Sequence, residues 1–248
     1  MNMKKEWDSR ARADAFHYVS SFSRDWNDES FYQWGEIQTQ VVIDEHFRRL
    51  GLNPSDLVML EIGCGAGRMT RALASRFKLV FAYDVSEEYI RTAKEHNGHL
   101  KNVIFSANDG LSFPAIDDKS IDFVFSGWVI QHMPTKEVVI KNIGEIARVL
   151  KIGGLYKIDP ALAGKLSFID PLIPQLVKSR IIKSLASFLG IDKHVLATTW
   201  RGVRFNAREI SEVLLERGLT VNTCLEDDGF DRLRGRKVMR RWFYGERM

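Results

Sequence analysis

Val58-Met59-Leu60-Glu61-Ile62-Gly63-Cys64-Gly65-Ala66-Gly67-Arg68-Met69-Thr70 is the stretch that decides the fold. An apolar run closes on an acid, glycine then recurs at every second position, and a helical pattern begins. Residues 58–62 read as a strand buried on both faces, the kind found in parallel sheets. Glycines just past the end of such a strand let the chain turn sharply and let a ligand approach the main chain without a Cβ in the way. The helix expected over 68–77 points its first N–H groups into the same gap. This is the turn of a cofactor-binding unit.

The spacing narrows the cofactor. A dinucleotide fingerprint needs G-x-G-x-x-G, and counting from Gly63 its third glycine would fall at Arg68. Counting from Gly65 fails as well, because position 70 is Thr70. What stands here is E-x-G-x-G-x-G. In Glu61, Gly63, Gly65 and Gly67 it resembles the first motif of the class I S-adenosylmethionine-dependent methyltransferases, and Cys64 lies inside the same turn.

Residues 79–83 read as a second buried strand ending at Asp84. An acid there, about 20 residues beyond the glycines, is placed to accept hydrogen bonds from ribose hydroxyls, and a carboxylate can accept two at once. The resemblance makes Asp84 the ribose acid of the second motif, with Val85 beside it. Ser86 then caps the next helix, with Glu87 and Glu88 in its first turn. Residues 102–106 read as a third strand, followed by Asn108, Asp109 and Gly110. In the family an acid at this point accepts from the adenine amine and the next N–H meets a ring nitrogen, which implies Asp109 and Gly110 with Asn108 alongside. A turn of this composition also forms without any ligand.

Residues 121–126 make a fourth strand, and 127–134 follow it at the edge where ligands bind in open α/β sheets. The resemblance implies Ser126 and Trp128 at the methionine and substrate ends of a pocket. An adenine- or amide-methylating Pro-Pro-Tyr element is absent here, and neither Cys64 nor Cys224 is placed as the nucleophile of cytosine methylation. His132 is the candidate catalytic residue, because imidazole can take a proton near neutrality; a structural histidine at a helix start is the competing reading. Asp159 is the acid available after the fifth strand, so no metal site is expected.

Helix 137–150 is expected to stop at Gly153 and Gly154, before a fifth strand over 155–160. Regular alternation lapses from 161 to 203, where an apolar helix over 176–189 reads as a lid over the substrate or as a homodimer contact. Trp200, Arg201 and Arg204 are candidates to hold an acidic acceptor. Asn206 caps a helix reaching residue 217, and 219–225 with 237–244 form a closing antiparallel hairpin. The basic residues 232–237 at its tip read as a solvated turn rather than an RNA surface. Ahead of the core, residues 1–50 carry helices over 11–20 and 36–50 with a loop at 23–30. By resemblance they lie over the cofactor, with Tyr18 and Gly35 as contacts.

The 248 residues, 45% of them hydrophobic, suit one α/β domain. A formal charge of +4 permits anionic substrates without demanding nucleic acid. Two cysteines offer no disulfide framework, and no run reaches membrane-spanning length. A cytoplasmic setting is the expectation. The expected architecture is a doubly wound, seven-stranded, mostly parallel Rossmann-like sheet: helical cap 1–50, cofactor core 51–160, lid 161–203, and C-terminal helix and hairpin 204–248. The expected activity is methyl transfer from S-adenosylmethionine to oxygen or nitrogen of a small metabolite, acidic or neutral: a sugar, secondary-metabolite or polysaccharide precursor. A non-catalytic S-adenosylmethionine-binding module and an RNA methyltransferase remain the alternatives.

Overall fold

A computed structural model of the chain describes residues 3–20, 25–163, 202–227 and 239–248. The expected lid helix, Trp200, Arg201 and the basic hairpin tip lie outside the described residues.

The glycine-turn strand β1 (Val58–Ile62) sits at the centre of a seven-stranded sheet. Its neighbours are β2 (Leu79–Asp84) and β4 (Ile121–Ser126), both parallel to it. β3 (Val103–Ala107) lies parallel beyond β2, and β5 (Leu150–Ile158) parallel beyond β4. β7 (Met239–Glu246) runs antiparallel between β5 and β6 (Asn222–Asp227), as expected of the closing hairpin. The order is 3-2-1-4-5-7-6, so the direction of winding reverses between β1 and β4. That reversal opens a crevice at the carboxyl ends of both strands.

Both faces of the sheet are covered, which is why its strands read as near-continuous apolar runs. On one face Ile143 and Ile146 of α6 (Lys136–Val149) and Ile210 and Leu214 of α7 (Ala207–Glu216) pack on Leu60, Val124 and Tyr156. On the other, Val42, Phe47, Leu73 and Ile90 pack on Met59, Val80 and Phe123. Leu73 belongs to the short α4 (Thr70–Ala74) and Ile90 to α5 (Glu87–Asn97). The caps read from sequence are in place: Ser86 Oγ accepts from Tyr89 N and Asn206 Oδ1 from Glu209 N.

The N-terminal part is more helical than its sequence suggested. α1 (Met3–Val19) starts eight positions before the expected helix. It breaks at Asp14, whose carboxylate accepts from His17 N and restarts the turn. α2 (Asp28–Thr39) begins inside the expected loop, because Asn27 and Ser30 cap one another reciprocally. It continues through a π-turn at Gln40–Asp44 into α3 (Glu45–Leu50). Within that widened turn Val42 O accepts from the buried Lys157 Nζ at 2.8 Å. The glycine pair 153–154 does not end a helix either. α6 stops at Val149, and Gly153, at φ 76°, sits inside β5 where the register to β4 shifts.

Candidate functional site

A cavity of about 240 Å³ opens where β1, β2 and β4 end. The glycine turn forms its floor. Gly63 N and Cys64 N both donate to Tyr83 O, at 2.7 and 2.9 Å, which folds the turn over the end of β2. Gly63 and Gly65 have φ of 78° and 54°, in the left-handed region that side chains disfavour. Space is as tight as conformation: a Cβ on Gly63 would lie 2.2 Å from Val129 Cγ2, and one on Gly65 2.7 Å from Val19 Cγ2. Gly67 serves packing instead, since its Cβ would meet Asn97 of α5.

Two carboxylates stand over this floor, Glu61 buried and Asp84 half-buried. Asp84 accepts from Gly65 N and Ser86 N, each at 2.9 Å. Burial pushes its pKa up to about 6 against those backbone donors. Glu61 accepts from Thr70 Oγ1 at 2.6 Å, and burial raises it to about 7. Arg68, also buried, donates to Gln38 Oε1 and has its pKa pulled down to about 10 by burial. Burial likewise pushes the Cys64 thiol well up, so the thiol stays protonated and is no nucleophile.

The other end of the cavity is aromatic and basic. Trp128, just past β4, has φ 62° and donates its N–H to Asp159 Oδ1 at 2.7 Å. The other carboxylate oxygen of Asp159 accepts from Arg240 Nη1 at 2.8 Å. His132 closes a 3-10 turn at Ile130–His132, and its ring meets Trp7 of α1 edge-on at 5.4 Å. Asp159 is buried and engaged on both oxygens. Among the described residues no group of His, Cys, Asp and Glu could hold a metal ion.

Of the residues expected from sequence, Tyr18, Glu61, Gly63, Cys64, Gly65, Asp84, Val85, Asn108, Gly110, Trp128 and His132 line this one cavity. Five described ones do not. Gly67 packs on α5, and Ser126 is buried behind the wall. Asp109 is exposed and turns back to accept from Leu111 N and Ser112 N, both at 2.8 Å, so it braces its own loop. Arg204 is exposed and donates to Leu162 O. Gly35 packs on the backbone of Arg68, where a Cβ would lie 2.1 Å from its carbonyl oxygen.

Sequence reasoning missed Met3, Trp7, Gln38, Arg68, Asn142 and Arg240 in the wall. Asn142 carried a signal, since it is a lone amide on the apolar stripe of α6; it donates to Gly110 O at 2.8 Å. Arg240 carried none, because a basic residue in an edge hairpin reads as solvated.

The cradle fits a nucleoside with a short extended arm: glycines that exclude any Cβ, a half-buried ribose-type acid, and Arg68 in place of a third dinucleotide glycine. Comparison with known proteins decides the matter. Residues 60–158 match the family model described as a methyltransferase domain. Those residues form a methyltransferase domain, on the class I fold of S-adenosylmethionine-dependent methyltransferases. The methyltransferase segment is 38% identical over 97 residues to phosphoethanolamine N-methyltransferase of Triticum aestivum, covering 39% of this chain and 19% of that protein. The match to a second wheat enzyme of that name spans 20% of its length, so the chain matches a minor part of these relatives. The fold resembles those of solved methyltransferases beyond that segment. It superposes on magnesium protoporphyrin IX methyltransferase of Synechocystis with bound S-adenosylhomocysteine at TM-score 0.63 and 17% identity, covering 99% and 98% of the two chains. It also matches phosphoethanolamine N-methyltransferase 1 of Haemonchus contortus, in complex with phosphoethanolamine and S-adenosylhomocysteine. That match has TM-score 0.65 and 16% identity, covering 98% of this chain and 48% of that one. No helix of the described residues is long and apolar enough to cross a membrane.

Proposed function

We propose that the chain transfers a methyl group from S-adenosylmethionine to a nitrogen or oxygen of a small molecule. The observation that carries this reading is one cavity joining the glycine cradle and Asp84 to Trp128, His132 and Arg240. When bound, the cofactor supplies an electrophilic methyl on a sulfonium. Asp84 would accept from its ribose hydroxyls, Val85, Asn108 and Gly110 would flank its adenine, and the glycine turn would admit its amino-acid arm.

Displacement at a sulfonium asks mainly for alignment of the nucleophile and for a dry site. Trp7, Tyr18 and Trp128 supply apolar walls that exclude water. His132 would take the proton that an amine or hydroxyl loses as it is methylated. The relatives named for phosphoethanolamine make a phosphorylated amine the first acceptor to try.

The test incubates the protein with S-adenosylmethionine and a panel of small amines, alcohols and their phosphorylated forms, reading S-adenosylhomocysteine. Acceptor-dependent product is expected. His132→Ala should lower turnover by about 10²–10⁴-fold while keeping S-adenosylhomocysteine affinity. Near-normal turnover by the folded variant would remove His132 as the base, and no acceptor-dependent product across the panel would favour a binding module.

A further inference from the structure

We propose that Arg240 is the specificity-determining residue for an acceptor bearing an oxyanion, a phosphate or a carboxylate, and that Asp159 is the positioning residue that fixes both Arg240 and Trp128. The inference rests on the methyltransferase reading and names the substrate class of that same site.

Asp159 is 1% exposed, and its two oxygens hold two different residues of the cavity wall. One is the main chain of Trp128, kept at φ 62°. Side chains disfavour that region, and the buried carboxylate braces it by accepting from the Trp128 main-chain N–H. The other is Arg240, whose Nη1 donates to Asp159 Oδ2 and to Gln131 Oε1. Its guanidinium also lies 5.8 Å from the centre of the Trp128 ring, which in turn stands edge-on to Trp242 at 5.5 Å. Carboxylate, guanidinium and indole thus form one braced unit.

The unit faces the acceptor end of the cavity. Two acids line the wall, Glu61 and Asp84, and both stand at the glycine turn. Among the described residues Arg240 is the cation at the Trp128 ring, while Asp159 lies behind the wall. A guanidinium carries five N–H donors in a rigid fork, so it can lie on one carboxylate and address a second planar or tetrahedral oxyanion. Holding that fork still before binding lowers the cost of ordering it. Arg204, a residue expected to hold an acidic acceptor, is on the surface instead.

The test reads the Trp128 indole N–H in protein carrying ¹⁵N-labelled tryptophan and saturated with S-adenosylhomocysteine, the resonance being assigned with Trp128→Phe. Inorganic phosphate, acetate and, at equal ionic strength, chloride are titrated in. Phosphate or acetate should give a saturable shift that chloride does not. Arg240→Gln should weaken that binding by roughly 10- to 100-fold, the range for losing a charged hydrogen-bond partner. Asp159→Asn should move the resonance before any anion is added and weaken the same binding, with S-adenosylhomocysteine affinity kept. An unchanged anion titration in Arg240→Gln would overturn the proposal, as would no anion-specific shift in the wild-type protein with S-adenosylhomocysteine bound. If S-adenosylhomocysteine itself failed to bind, the methyltransferase reading would fall and this inference with it.

Discussion

Asp84 shows how one side chain answers to two demands. Its half-buried carboxylate ties Gly65 N to Ser86 N, so the glycine turn and the start of α5 share an anchor. Burial disfavours its charge, which is why its pKa rises to about 6. Hydroxyl groups donating to it favour the charged form, so cofactor binding should release a proton near that pH. S-adenosylhomocysteine affinity is then expected to fall as pH drops through 6, a trend calorimetry in two buffers of different ionisation enthalpy will detect. Asp84→Asn should cost about 1.5–3 kcal/mol of binding and flatten that trend. The empty variant should melt close to the wild type, because the lost hydrogen bond is offset by relief of a buried charge. A steep fall in melting temperature with unchanged affinity would make Asp84 a structural residue only.

At the scale of elements, α1 is the piece that closes the site. Asp8 accepts from Ser86 Oγ at 2.7 Å and from Glu88 N, so a helix from the start of the chain caps one in the core. Lys4 and Arg12 add ion pairs to Glu87 and Glu88, exposed enough to contribute little. Met3, Trp7, Tyr18 and Val19 then line the cavity. Asp8→Ala should therefore destabilise the empty protein by about 1–2 kcal/mol and raise amide hydrogen exchange across α1. Exchange confined to other elements would contradict that role. The docking was illegible in the sequence: residues 3–10 carry no apolar stripe, since this helix is fixed by a buried acid and by aromatic contacts. α2 was missed for a related reason, because its capping box uses Ser30 where the familiar form has Glu or Gln.

For the molecule as a whole, the features legible in advance were those set by backbone chemistry. The strand-glycine-helix rhythm around Gly63 and Gly65, the acid ending β2, and the cap-to-glycine helix from Asn206 to Gly218 each follow from local rules. They recur in the structure together with the seven-stranded order. What stayed hidden depends on distant partners: Asp109 turning onto its own loop, and Arg240 reaching Asp159 from another strand. The two acids of the cradle also shape global stability. Glu61 and Asp84 bind protons more tightly folded, at about 7 and about 6, than at their ordinary values of 4.5 and 3.8. Their contribution is thus fully present below pH 3.8 and is lost as pH rises through 6 and 7. Thermal melts of the empty protein should register that loss, and added S-adenosylhomocysteine should offset it by mass action. The central claim is the identity of the ligand in the glycine cradle, and isothermal titration of the purified chain tests it most directly. S-adenosylhomocysteine should bind at one site per chain with NAD inert, whereas tight NAD binding with S-adenosylhomocysteine inert would contradict the account.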